Sequence, residues 1–152
     1  MARRGRYANR WVLLRTVDNR WVFGKIYEYN STTMRILAFY NVNVSTFHPE
    51  YGEFHYIDVP MANISEAWIV SQWVKFIPLP PGETFNWYNY INRWALFYNF
   101  HRHWTFGKLT AYNPSTNEVN ILALINGKFR TITYPQASLI EGWYVKSWVR
   151  IR

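Results

Sequence analysis

The chain contains no cysteine, which removes disulfides, thiolate metal sites and cysteine nucleophiles from consideration. No apolar run approaches the roughly 18 residues of a membrane-spanning helix. The basic start, MARRGRYANR, has no hydrophobic stretch behind it, so the sequence predicts a soluble protein not exported through a signal peptide. Acidic residues are scarce, nine against seventeen Lys and Arg, for a net charge of +8. They are scattered, no Ser/His/Asp order stands out, and there is no glycine-rich phosphate loop. That argues against an enzyme, and no cofactor is expected. His101 and His103 read as two imidazoles on one strand face, a candidate metal pair whose alternative is exposed polar residues at a strand start.

What the chain has in excess is aromatic rings and self-similarity. There are nine Trp, twelve Tyr and ten Phe. Arg20 to Asn30 (RWVFGKIYEYN) and His103 to Asn113 (HWTFGKLTAYN) share six of eleven residues at an offset of 83. Pro60 to Ile77 and Pro135 to Ile151 repeat the pattern at an offset of 75. A period this long, with several strand-like segments per copy, predicts two small modules of one architecture. The reading is a basic arm (1–9), a first repeat (10–77), a Pro-rich linker (78–92) and a basic second repeat (93–152). Modules of this size have marginal cores. The aromatics then supply a surface on which the copies pack against each other or against neighbouring subunits.

The charge is unevenly divided. The arm carries Arg3, Arg4 and Arg6, the first repeat is neutral, the linker is −1, and the second repeat is +6 with only Glu118 and Glu141 as acids. Folding does not require this asymmetry, because the first repeat manages without it. An anionic partner explains it most simply.

Alternation along residues 20–29 puts Phe23, Lys25, Tyr27 and Tyr29 on one strand face and Val22, Gly24, Ile26 and Glu28 on the other, with Gly24 marking a bend or bulge. Asn126-Gly127 between two β-rich runs is a hairpin signal. A helical turn is expected only near residues 86–92. Gly24-x-Ile26-x-x-Tyr29-Asn30 and Gly107-x-Leu109-x-x-Tyr112-Asn113, the latter followed by Thr116-Asn117 and an apolar strand, resemble the first motif of Sm-like and SH3-type small β-barrels. The resemblance implies an all-β fold of two tandem small SH3/Sm-like β-barrels from an internal duplication. That family's basic-glycine motif is absent, so no nucleotide pocket is carried over. The composition is similar to that of virion proteins of archaeal viruses.

The recurring Trp21/Trp104, Trp68/Trp143 and Trp73/Trp148 read as core residues. The matched cations are Arg10/Arg93, Lys25/Lys108 and Lys75/Arg150. Lys128 and Arg130 share a strand face, and Lys146, Arg150 and Arg152 repeat that pattern on the last strand. A β surface carrying cations and aromatics without acids suits phosphates and stacked bases. The expected contact set is Arg3, Arg4, Arg6, Arg10, Lys25, Arg93, Arg102, Lys108, Lys128, Arg130, Lys146, Arg150 and Arg152. The functional expectation is a non-enzymatic, sequence-nonspecific nucleic-acid-binding structural protein that coats a viral genome, with DNA favoured over RNA. It would self-associate into a homo-oligomer or filament, in a nucleocapsid or in association with a nucleoid. The alternatives are a self-assembling coat or scaffold that does not bind nucleic acid, and a carbohydrate- or peptide-binding module.

Overall fold

A computed structural model describes residues 6–41, 52–78 and 85–152; Arg3 and Arg4 lie outside them. Ten strands follow in order: β1 Trp11–Thr16, β2 Trp21–Tyr29, β3 Thr33–Asn41, β4 Gly52–Pro60, β5 Ile64–Ile77, β6 Trp94–Asn99, β7 Trp104–Asn113, β8 Glu118–Ile125, β9 Lys128–Pro135 and β10 Leu139–Arg150. The only helical elements among the described residues are three short 3-10 turns, at Met61–Asn63, Trp87–Tyr90 and Gln136–Ser138. The fold is therefore all-β. Asn126 and Gly127 both adopt positive φ (50° and 85°), as a two-residue turn between β8 and β9 demands.

The duplication is expressed as one antiparallel sheet, not as two separate ones. Its order is β4-β3-β2-β1-β5-β10-β6-β7-β8-β9. Each half thus runs fourth, third, second, first, fifth, and the two fifth strands pair. In that pair Trp68 lies opposite Arg150 and Lys75 opposite Trp143, while Val70 faces Trp148 and Trp73 faces Val145. Because Trp68 matches Trp143 and Lys75 matches Arg150 in the repeat, the register has a pseudo-two-fold centre, at Gln72 opposite Ser147. The far ends obey the same symmetry. Gly52 at the start of β4 pairs with Trp104 of β7, and the Trp21 N–H of β2 donates to the Gly127 carbonyl at 2.8 Å.

The side chains form three clusters. One belongs to the first half (Val12, Leu14, Ile26, Ile36, Val59, Ile69 and neighbours) and one to the second (Phe97, Leu109, Val119, Ile121, Tyr134 and neighbours). The third is shared: Leu13, Phe23, Phe39, Leu96, Phe106 and Leu124, edged by Trp11, Trp21, Phe54, Trp73, Trp94, Trp104, Phe129 and Trp148. At its centre four rings stack in sequence across the pseudo-axis. Trp11 lies on Phe23 (5.3 Å between centroids), Phe23 on Phe106 (3.6 Å, 7°), and Phe106 on Trp94 (5.7 Å). Alternation explains the arrangement, since Val22 and Ile26 turn to the half's own core while Trp21 and Phe23 turn to the shared one.

Two local readings need correction. The register shift of β2 against β3 falls between Ile26 and Glu28, not at Gly24. The extra residue moves Tyr29 off the Phe23 face and onto the first half's own core. The matching shift in β7 lies between Leu109 and Ala111. Gly24 and Gly107 are needed for a different reason: a Cβ there would collide with the carbonyls of Leu37 and Leu122. Both neighbours are backbone and cannot yield cheaply. Gly107→Ala is expected to cost about 2 kcal/mol, read as a lower urea midpoint at unchanged m-value.

The second correction concerns the extent of the repeat. Tyr7-Ala8-Asn9-Arg10-Trp11 and Tyr90-Ile91-Asn92-Arg93-Trp94 are the same lead-in segment twice. Asn9 and Asn92 sit at φ 66° and 70°, and their N–H groups donate to Ile26 O and Leu109 O, each at 2.7 Å. Tyr7 stacks on Tyr29, and Phe85, Tyr90 and Ile91 pack on the second core. Residues assigned to arm and linker thus belong to the modules.

Candidate nucleic-acid interface

The two halves share a backbone plan but differ in how they treat charge. In the first, Arg35 of β3 makes a two-pronged pair with Asp58 of β4 (2.9 and 3.2 Å). The equivalent positions of the second half are Asn120 and Thr133, joined by a neutral hydrogen bond of 2.8 Å. Arg15 binds Glu66 at 3.1 Å, while its repeat counterpart is Tyr98, which packs on Trp104. Glu53 and His55 of β4, 3.7 Å apart, are replaced on β9 by Lys128 and Arg130. Among the described residues every ion pair lies in the first half. None of the second half's eight cations is paired with a carboxylate there.

Glu66 and Glu141 are engaged by tryptophans. The Trp68 indole N–H donates to Glu66 at 2.8 Å and the Trp143 N–H to Glu141 at 2.9 Å, one interaction in both copies. The Trp68 hydrogen bond, aided by Arg15 and Arg150 and opposed by burial, holds the Glu66 carboxyl below the usual carboxylate range. The hydrogen bond from Arg35, with its charge, does the same for Asp58. Both carboxylates thus stay ionised, Asp58 committed to Arg35 and Glu66 to Trp68 and Arg15.

The expected contact residues occupy three regions. Along the β5–β10 seam, Arg150 is exposed with its guanidinium 5.4 Å from the Trp68 ring centre, and its Nε donates to the Arg152 carbonyl. Lys75, absent from the expected set, lies 5.5 Å from the Trp143 ring in the symmetric position. Lys146 is exposed at the register shift between Val145 and Ser147, and Arg152 is exposed while its backbone bonds Ala67. Beside the seam, Arg6 and Arg10 are exposed and line a pocket of ≈ 220 Å³ with Tyr7, Ile69, Ser71 and Val149. Arg93 is exposed over Tyr144 at 5.2 Å.

The second region is β9, at the end of the sheet, where Lys128 and Arg130 are exposed opposite Ile125 and Ala123. Strands β6, β7 and β8 separate them from β10 in the sheet order. The third holds the half-buried Lys25 and Lys108, opposite Trp11 and Trp94 at the margin of the shared cluster. Arg102 is exposed in the turn after β6 at φ 67°.

That turn also changes the reading of the histidines. His101 and His103 lie in it, not on a strand face; the buried Asn99 side chain accepts both of their backbone N–H groups, at 2.9 and 3.3 Å. No group of three or more metal-binding side chains occurs among the described residues. Nor is any helix among them long and apolar enough to cross a membrane.

The tryptophans divide as well. Trp21, Trp104, Trp73 and Trp148 edge the shared cluster. Trp68 and Trp143, expected in the core, are half-buried platforms under Arg150 and Lys75. The sequence signal for this was present in both copies as Trp-x4-Trp-x-(Lys/Arg), but strand pairing is needed to see that each cation crosses to the other copy's tryptophan. No family model matches the chain, and neither a curated protein nor a solved structure does.

Proposed function

We propose that this protein is a non-enzymatic, largely sequence-nonspecific nucleic-acid-binding structural protein, a subunit that coats a viral genome, with DNA preferred to RNA. One observation carries the reading. In two copies of one fold, the first pairs Arg15 and Arg35 with carboxylates, whereas none of the second's eight cations forms an ion pair among the described residues. Unneutralised cations on an exposed β surface attract a polyanion and release its counterions. We further propose that each half is an open barrel of the Sm/SH3 type. The strand order fourth-third-second-first-fifth in each half supports this, as does the shared glycine at the bent second strand.

If six to eight cations meet phosphate, log K against log salt should fall with a slope of about −5 to −7 on duplex DNA. Nuclease-sensitive polymer should also copurify from untreated material, raising its 260/280 nm absorbance ratio. A clean protein spectrum and a slope near zero would overturn the proposal.

A second reading, a coat that assembles without nucleic acid, is favoured by the two strands that end the sheet. β4 carries Glu53, and β9 carries Lys128 and Arg130. End strands are templates for pairing, and opposite charge favours head-to-tail addition of one copy to the next. Assembly of nuclease-treated protein that is followed by sedimentation and weakens as salt is raised would select this reading.

A further inference from the structure

An open pocket of ≈ 250 Å³ is lined by Trp11, Trp73, Leu96, Trp104 and Trp143. Both halves build it: β1 and β5 of the first, β6, β7 and β10 of the second. Four indoles and one leucine offer stacking faces and almost no polar atoms. Trp143 already spends its N–H on Glu141. The Lys75 ammonium lies against Trp143, one of the lining rings.

These features narrow the ligand. A sugar would bring several hydroxyls, and this lining would leave most of them unpaired. A quaternary ammonium suits an aromatic cage, but Lys75 and a net charge of +8 repel it. An aliphatic chain makes no use of the stacking faces or of Lys75. A neutral planar heteroaromatic ring satisfies both conditions, since its faces stack on indole and an attached phosphate meets Lys75. The volume is below the roughly 300–1,000 Å³ of pockets for drug-sized ligands, which matches a single ring system.

We propose that this pocket takes an unstacked nucleobase, so that the protein engages single-stranded nucleic acid by base insertion as well as by phosphate contact. This rests on the nucleic-acid reading above. In a duplex the same insertion would first require extruding a paired base.

The test uses the full chain and three probes of equal length at one salt concentration: a single-stranded oligonucleotide, the same strand made abasic, and the duplex. The abasic strand keeps the phosphates and removes only the rings. The base-bearing strand should bind about tenfold more tightly than the abasic one and quench tryptophan emission. Trp143→Leu should remove most of that difference, with an unchanged circular dichroism spectrum and cooperative melting checking that the variant is folded. Equal affinity for base-bearing and abasic strands, with unchanged emission, would refute the pocket and leave phosphate binding standing. Quenching by a neutral oligosaccharide, without discrimination between the two strands, would refute it too. Failure of all three probes to bind would overturn the nucleic-acid reading and the base pocket with it.

Discussion

Phe23→Ala should destabilise the protein by about 4 kcal/mol, within the 3–5 kcal/mol range for deleting a buried phenyl ring. Phe23 and Phe106 are both fully buried and stack nearly parallel with centroids 3.6 Å apart. Trp11 and Trp94 continue the stack outward. A close face-to-face pair is not the most favourable aromatic geometry, so the contribution comes from apolar area removed from water. Trp73, edge-on to Phe23 at 6.2 Å, is braced by Trp11 and cannot readily collapse into the cavity left behind. For a chain of this length the thermal midpoint should drop by about 10 °C.

Unfolding should remain a single cooperative transition, because the halves share both the sheet and this cluster. The double variant with Phe106→Ala should lose less than the sum of the singles, since each ring's loss already exposes the other. Calorimetry and urea titration would check both points. Two separable transitions in the native protein would mean that the shared cluster does not couple the halves.

The second large effect is on binding. Replacing Lys128, Arg130, Lys146 and Arg152 by glutamine should reduce affinity for duplex DNA by about two to three orders of magnitude near 0.1 M salt. The salt slope should become shallower by about 3 to 4, since each phosphate contact contributes close to one unit. The loss should be uniform across sequences, because phosphate contacts carry no base information. These four side chains are exposed, and none is stacked on a tryptophan as Arg150 is, so the fold should tolerate the change.

Arg15→Gln with Arg35→Gln is the control. Both arginines are occupied by Glu66 and Asp58, and their loss should alter binding severalfold at most. Anisotropy titrations over a salt series would compare the two sets. A larger loss from the first-half pair would move the contact surface to the other half.

Much of the fold was legible in the chain. The Trp, Phe, Gly and Lys shared by residues 20–30 and 103–113 exposed the duplication, alternation exposed the strands, and Asn126-Gly127 exposed the β8–β9 turn, because each is a local property of the backbone. The bulge after Ile26 was not legible. It adds a residue to β2 relative to β3, and that is visible only once the partner strand is in place. The lead-in Tyr-x-Asn-Arg-Trp was legible but is short, and the structure gives it weight through the left-handed Asn9 and Asn92. For the candidate site, the sequence exposed the excess of cations. Their division into Arg35–Asp58 against Asn120–Thr133 depends on cross-strand neighbours far apart in the chain.

By itself the sequence determined an all-β chain written twice, with a basic second copy, since composition, period and repeat need no partner to be read. Only the tertiary structure decided that the copies merge into one ten-stranded sheet through β5 and β10. It alone decided that Phe23 meets Phe106 and that four tryptophans from both copies enclose a pocket. The physical reason is that a strand's pattern fixes which side chains share a face, while the surface that face buries against depends on pairing and burial across the whole chain.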